Sequence, residues 1–186
     1  MKAISVIAVT SFLALSSTAF GACATNKTCF NSNKPKETMS NLTSNRNKEI
    51  VRRYFQEALI KSDDKVIDEL IVPNFVDHHL PPGFPHGPKG VKIWFGKLRK
   101  SMADRQLHIQ SMVAEGDLVT MHFTMKATQV GEYMGMPATN KRFESEGFAL
   151  VRVMNGQIIE LWEVVDRLKM LQQLGHIPAR PVQGSR

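Results

Sequence analysis

Apolar residues recur near a 3.6-residue period in three stretches of the chain, and each stretch predicts a helix. The first covers residues 47–61, with Asn47 as its candidate cap. Ser62 can cap the second helix, and Pro73 stops it. Prolines and glycines between residues 75 and 88 predict a stiff loop, after which helical spacing returns over residues 90–102. The first part of the folded region is therefore expected to be mainly helical.

Beyond residue 106 the hydrophobic period changes to two, which predicts strands. The alternation is clearest over residues 119–126, is looser over 107–113, and is followed by the runs 142–154 and 157–165. Glu115-Gly116-Asp117 and Asn155-Gly156 predict hairpin turns between these strands. A last helix over residues 166–174 would have Asp166 at its start and Gly175 just past its end. Three helices followed by antiparallel strands predict an α+β fold, in which a curved sheet packs on the helices.

The first 22 residues have the pattern of a signal peptide, so we expect the protein to be exported, to the periplasm or the outside. Met1-Lys2 precedes an apolar run that is too short to span a bilayer, and no later segment is a candidate span. Two processing patterns fit the sequence: cleavage after Ala19-Phe20-Gly21, or a lipobox-like string that would make Cys23 a lipid anchor. Residues 23–46 are expected to be a flexible leader, 47–177 the domain, and 178–186 a tail.

Composition narrows the classes of function. The formal charge is +7, but the lysines and arginines between residues 89 and 105 are spread over one amphipathic segment, so no nucleic-acid partner is expected. Cys23 and Cys29 are the only cysteines; they could form a disulfide, and neither lies in the expected domain. Asp77, His78 and His79 are contiguous and lack a second ligand pair at metal-site spacing, so no metal site is expected.

Several local strings resemble the SnoaL-like polyketide cyclases, a family of the nuclear-transport-factor-2-like fold. They are FVDHH at 75–79, VAEGD at 113–117, GEYMGMPATNK at 131–141, NGQIIELWEVVD at 155–166 and LQQLG at 171–175. The resemblance implies a cone-shaped domain with a deep, largely apolar pocket for a small apolar molecule. It also implies a homodimer, no metal or organic cofactor, and intramolecular aldol chemistry.

The resemblance implies that Asp166 is the acid/base carboxylate. In an extended strand Trp162, Val164 and Asp166 point to one side, and desolvation beside the indole would make a carboxylate a stronger base. The equally weighted alternative is that Asp166 caps the last helix. His78 and His79 would point to opposite sides of an extended backbone, so at most one polarises a substrate carbonyl; packing under the loop is the alternative.

Four further residues are candidates for binding the substrate. Trp162 would shape the cavity, although a core aromatic is the commoner use; Trp94 lies on the apolar side of the third helix. His122 fits a polar pocket wall or a solvated face equally well, and Met136 could line the pocket mouth. We therefore expect a cyclase- or isomerase-type enzyme. The rivals are an exported, non-catalytic binding protein and an interaction module whose pocket is filled.

Overall fold

In the computed structural model, which describes residues 39–178, the first element is helix α1 (Met39–Arg53), which continues directly into a π-helical segment (Tyr54–Ile60). The helix begins eight residues before the predicted start, so the assignment of residues 39–46 to a flexible leader is wrong. These residues are mostly exposed, and the helix buries side chains only from Asn47 onward. Local hydrogen bonding rather than an apolar stripe therefore maintains the first turns. The signal segment, residues 23–38 of the predicted leader and most of the predicted tail lie outside the described residues.

Helix α2 (Asp64–Leu70) is shorter than predicted, and a strand follows it. Its cap is Asp63, whose side chain accepts a hydrogen bond from the Lys65 amide at 3.0 Å, so the prediction of Ser62 as the cap is wrong. Strand β1 (Ile71–Asp77) occupies residues that we predicted as helix end and loop. Pro73 is tolerated there because β1 is an edge strand whose pairing is irregular around the proline.

Helix α3 (Gly87–Ser101) begins three residues earlier than predicted, and the loop before it is residues 78–86. Gly87 has a φ of +75°, and a Cβ at this position would overlap the Pro73 carbonyl. A glycine therefore allows the start of α3 to approach β1 closely and to fix the proline-rich loop against the strand.

Four long strands complete the sheet: β2 (Met102–Glu115), β3 (Leu118–Gln129), β4 (Arg142–Met154) and β5 (Gln157–Val165). The strand order is β1-β5-β4-β3-β2; β1 is parallel to β5, and the other neighbours are antiparallel. Helix α4 (Arg167–Leu174) follows β5 and ends at Gly175 in the left-handed conformation. The two predicted hairpins, the last helix and the α+β class are confirmed.

The core lies between the helices and one face of this sheet. Side chains at odd positions of β3 and β4, such as Met121, Phe123 and Val151, are buried against Val51 and Ile67 of the helices. Even positions of β4 point to the opposite, outer face, where Phe148 is 56% exposed. The inner face of the sheet therefore supplies the walls of any cavity inside the domain. Among residues 39–178 no helix is both long and apolar enough to cross a membrane.

Candidate functional site

A narrow cavity of about 60 Å³, here called the inner pocket, lies between the inner face of the sheet and the helices. Aromatic and aliphatic side chains form most of its wall, including Phe55, Trp94, Phe95, Leu161 and Val165. The polar groups that reach it are those of Tyr54, Asp77, His79, Tyr133, Ser145, Glu163 and Arg167. A few ionisable groups in an apolar surrounding are typical of a small-molecule site.

Glu163 projects into the inner pocket from β5, between Leu161 and Val165. It is half-buried because its surface borders the cavity rather than bulk solvent. Burial raises the pKa of this carboxyl to about 8, and the charge of Asp77 adds to the rise, whereas Arg167 opposes it. Glu163 therefore carries a proton at neutral pH and can act as an acid.

Asp77 is the last residue of β1 and pairs with Leu161 of β5. Because Leu161 lines the pocket, this pairing places Asp77 at the pocket as well. Burial raises its pKa to about 6, although backbone amides of His79 and Leu80 and the charge of His78 lower it. The His79 amide donates to Oδ1 of Asp77 at 2.8 Å. At neutral pH Asp77 is mostly ionised, and the pair of carboxyls shares one proton.

His79 and Arg167 form a pair at the margin of the pocket. Nη2 of Arg167 is 2.7 Å from Nε2 of His79, and because a guanidinium only donates, Nε2 accepts and the imidazole proton lies on Nδ1. Burial lowers the pKa of His79 to about 4, and the charge of Arg167 lowers it further. His79 is therefore a neutral donor. Within residues 39–178 Arg167 has no carboxylate partner in a salt bridge.

Tyr54 begins the π-helical segment and lies fully inside the protein. Its ring meets Phe55 edge-on, with 5.1 Å between ring centroids. Burial raises the pKa of the phenol well above its usual value, and Asp77 and Glu163 raise it further. The phenol remains protonated and is a second neutral donor. Single-turn π-helical insertions occur frequently at functional sites.

Residues 49–174 match the family profile described as SnoaL-like polyketide cyclase. The chain belongs to this family. The nogalonic acid methyl ester cyclase of Streptomyces nogalater is 29% identical over 117 residues, which are 62% of this chain and 86% of the relative. The aklanonic acid methyl ester cyclase DauD of Streptomyces sp. (strain C5) is 27% identical over 120 residues, covering 62% and 72% of the two chains.

Solved structures agree with the fold of this SnoaL-like protein. TsrD of Streptomyces laurentii superposes with a TM-score of 0.66 at 22% identity, covering 72% of this chain and 97% of TsrD. IdmH of Streptomyces antibioticus gives a TM-score of 0.61 at 30% identity, covering 69% and 98%. The family and its nuclear-transport-factor-2-like fold, both expected from the local strings, are confirmed.

Asp166 does not lie in the pocket of this SnoaL-like protein, so its predicted burial beside Trp162 is wrong. The residue is exposed, and its side chain caps α4 by accepting from the Lys169 amide at 2.9 Å. Trp162 and Val164 share its side of the strand, as predicted, but that side is the outer face of the sheet. The capping alternative is the one that the geometry supports.

His78 and Trp162 also lie on the outer face, where their rings stack with 4.9 Å between centroids. His78 is exposed and its Nε2 is 2.9 Å from Glu160 Oε1. His122 stacks on Phe148 with a centroid distance of 4.4 Å and does not line the inner pocket. The expectation that Trp162 shapes the cavity is therefore wrong, and so is a pocket position for His78. For His122 the geometry does not support the alternative of a pocket wall.

His79 and Trp94 are the predicted site residues that the structure brings into the inner pocket. Their rings meet edge-on at 5.9 Å, and Trp94 also approaches Tyr133, with 6.4 Å between centroids. Met136 is half-buried, exchanges backbone hydrogen bonds with Tyr133, and is not among the pocket-lining side chains. Of the two adjacent histidines, only His79 lines the pocket, although both lie in a turn after β1 and not in extended backbone.

Sequence reasoning missed Glu163, Tyr54 and Arg167 as site residues and considered Asp77 only as a metal ligand. The available signal was a charged residue, Glu163, between two apolar positions of the same parity on one strand. Tyr54 falls inside the first predicted helix, residues 47–61, and its π-helical setting has no sequence signature. Within the described part of the chain, no three His, Cys, Asp or Glu residues are grouped as a metal site.

Proposed function

We propose that the protein catalyses an intramolecular aldol cyclisation of a small, largely apolar carbonyl compound. The supporting observation is the pair of buried carboxyls, Asp77 and Glu163, whose pKa values of about 6 and about 8 lie on either side of neutral pH. Two such groups can serve as base and acid in one active site. The cyclase names of the relatives favour this reaction over isomerisation alone.

Asp77 is the general base. Its carboxylate removes a proton from the carbon beside a substrate carbonyl, and its raised pKa makes it a stronger base than an exposed aspartate. The enolate oxygen that results needs donors that are already oriented. Nδ1–H of His79 and the phenol of Tyr54 are neutral donors in this pocket, and Arg167 supplies the nearby positive charge.

Glu163 is the general acid. The enolate carbon forms a C–C bond to the second carbonyl carbon of the same molecule, and Glu163 donates its proton to the alkoxide oxygen. The product is an isomer of the substrate, with Asp77 protonated and Glu163 ionised; one proton returns from Asp77 to Glu163 before the next cycle. The substrate and these two carboxyls account for every proton and bond in the step, so the proposed step needs no metal or organic cofactor.

The test compares the wild-type protein with Glu163→Gln and Asp77→Asn on aklanonic acid methyl ester, the compound in the name of one relative. General acid–base groups usually contribute about 10²- to 10⁴-fold, so each variant should lower kcat by about 100-fold or more. Wild-type kcat/KM should follow a bell-shaped pH profile with limbs near about 6 and about 8. Glu146→Gln, an exposed residue on β4, is the matched control. Unchanged kcat in both pocket variants would contradict the roles of these two carboxyls, whereas binding of the ester without any turnover by the wild type would favour the non-catalytic binding protein.

We also propose that the protein is exported. The support is the sequence pattern of residues 1–22, which lie outside the described residues. Expression of the full chain in a bacterial host should yield a product that lacks these residues in the periplasm or medium. Labelling with a palmitate analogue then decides between free release and a lipid anchor at Cys23. Retention of the whole uncleaved chain in the cytoplasm would contradict export.

A homodimer is proposed on the exposed apolar side chains of the outer sheet face. Phe148 pairs with Val164 across β4 and β5, and these side chains are 56% and 73% exposed; Leu150, at 37%, is two residues along. Contiguous apolar patches of this kind frequently mark protein interfaces. Native mass spectrometry should find twice the chain mass. Only the single-chain mass at micromolar concentration would contradict the proposal.

A further inference from the structure

The inner pocket is too small to hold a whole polyketide-sized ligand. Its volume of about 60 Å³ compares with roughly 300–1,000 Å³ for ordinary sites of small organic ligands. It can enclose the reacting end of a substrate, since that is where Asp77 and Glu163 lie. The rest of a larger substrate needs another space that is continuous with this one.

A second cavity supplies that space. This outer groove has a volume of about 640 Å³ and runs between α3 and the loop after β3. Trp94, Leu98 and Tyr133 line both the inner pocket and the outer groove, so the two spaces share one wall. A ligand that passes the edges of Trp94 and Tyr133 would leave the inner pocket and enter the groove.

The groove differs from the inner pocket in its charge. Lys97 and Lys100 line it from α3, and neither forms a salt bridge with any of residues 39–178. Nζ of Lys97 lies 5.0 Å from the ring centroid of Phe84, a groove residue, so its ammonium lies at the groove wall. Glu132 is the acidic residue of the lining, which leaves an excess of positive charge.

We propose that the natural substrate is bipartite: its carbonyl end enters the inner pocket, and a carboxylate-bearing tail lies in the outer groove beside Lys97 and Lys100. This assignment rests on the proposed function for the choice of the reacting end. The assignment adds a carboxylate to the expected substrate. It also gives Lys97 and Lys100 a role in substrate selection. A neutral ester of the same length would lose the contact with the ammonium groups.

Binding is measured by isothermal titration calorimetry on the full-length protein, with 9-oxodecanoate and its methyl ester as probes. Each exposed ion pair should change the dissociation constant by about 1.4- to 5-fold, so with two pairs the acid should bind about 2- to 25-fold more tightly than the ester. The Lys97→Gln/Lys100→Gln variant should lose this preference and leave ester binding unchanged. Added salt should weaken binding of the acid to the wild type and have little effect in the variant.

The matched control is Lys65→Gln/Lys89→Gln, which removes the same charge at exposed positions outside the groove. It should keep the preference for the acid. Equal affinity of wild type for acid and ester, an equal loss in the control variant, or no saturable binding of either probe would overturn the bipartite assignment. Turnover of a neutral methyl ester is measured separately, so a failure of this assignment leaves the acid–base proposal standing. A failure of the acid–base proposal removes the choice of the reacting end but leaves the binding of a carboxylate in the groove standing.

Discussion

Replacing Glu163 by glutamine should remove most of the pH dependence of stability between pH 6.5 and 8. In the folded protein this carboxyl has a pKa of about 8, against an ordinary value of 4.5. Between these values the folded state holds one more proton than the unfolded state. The contribution of this carboxyl to the free energy of unfolding is complete below the pKa of the unfolded state, 4.5. It falls as the pH rises and is lost when the pH passes the pKa of the folded state, about 8.

Two other buried groups determine the window in which Glu163 dominates. The Asp77 pKa is raised from 3.8 to about 6, so most of its similar contribution is lost by about pH 6.5. The His79 pKa is lowered from 6.5 to about 4, so the unfolded state binds the extra proton and stability rises up to about pH 7. Above about pH 6.5 Glu163 makes the largest change in proton balance of the three. The full slope is about 1.36 kcal/mol per pH unit and falls to half at the folded pKa, so the wild type should lose about 1.5 kcal/mol between pH 6.5 and 8.

The assay is urea denaturation followed by tryptophan fluorescence at intervals of half a pH unit. The Glu163→Gln variant should show a nearly constant free energy of unfolding across the window, and Glu146→Gln should follow the wild type. A loss of about 1.5 kcal/mol is measurable, because it is a sizeable fraction of the stability of about 5–15 kcal/mol that domains of this size have. Parallel curves for wild type and Glu163→Gln would refute the assignment of a proton to Glu163 at neutral pH.

Three further substitutions test the rest of the account. Asp166→Ala should cost about 1 kcal/mol of stability through loss of the α4 cap and leave kcat unchanged; a loss of turnover at full stability would restore Asp166 as a catalytic candidate. Gly147→Ala should destabilise the protein by about 1–3 kcal/mol, because a Cβ there overlaps the Phe123 ring. Thermal unfolding measures the effect, and an unchanged midpoint would contradict this close approach. Arg167→Met should raise the pH at which the His79 imidazole titrates by NMR, since a nearby positive charge is removed; an equal or lower value would contradict the pairing.

Much of the sheet could be predicted because its signals are local. Two-residue alternation identified the faces of β3, and Asn155-Gly156 identified the hairpin between β4 and β5. Strand β1 was missed because it follows α2 without a break in the apolar pattern and contains Pro73, which is acceptable only at an edge. Edge position depends on the whole sheet order, which no local pattern shows.

The candidate site could be predicted only in part, because the face of β5 that lines the pocket also depends on the whole sheet. Trp162 and Asp166 do share one side of β5, but large apolar side chains lie on both sides of this strand, so parity alone does not tell which side faces the helices. The register also shifts near Ile159, which changes the face that a simple alternation assigns. No local signal therefore marked Glu163 as a pocket residue, although its neighbours Leu161 and Val165 line the pocket.

The most direct measurement is the titration of the Glu163 side-chain carboxyl by ¹³C NMR, on protein labelled at the glutamate carboxyls. Comparison with the Glu163→Gln spectrum identifies the resonance. The account predicts a midpoint near pH 8, well above that of the exposed glutamates. A midpoint near 4.5 would mean that the carboxyl is ionised and solvated at neutral pH, and the acid assigned to the cyclisation would be absent.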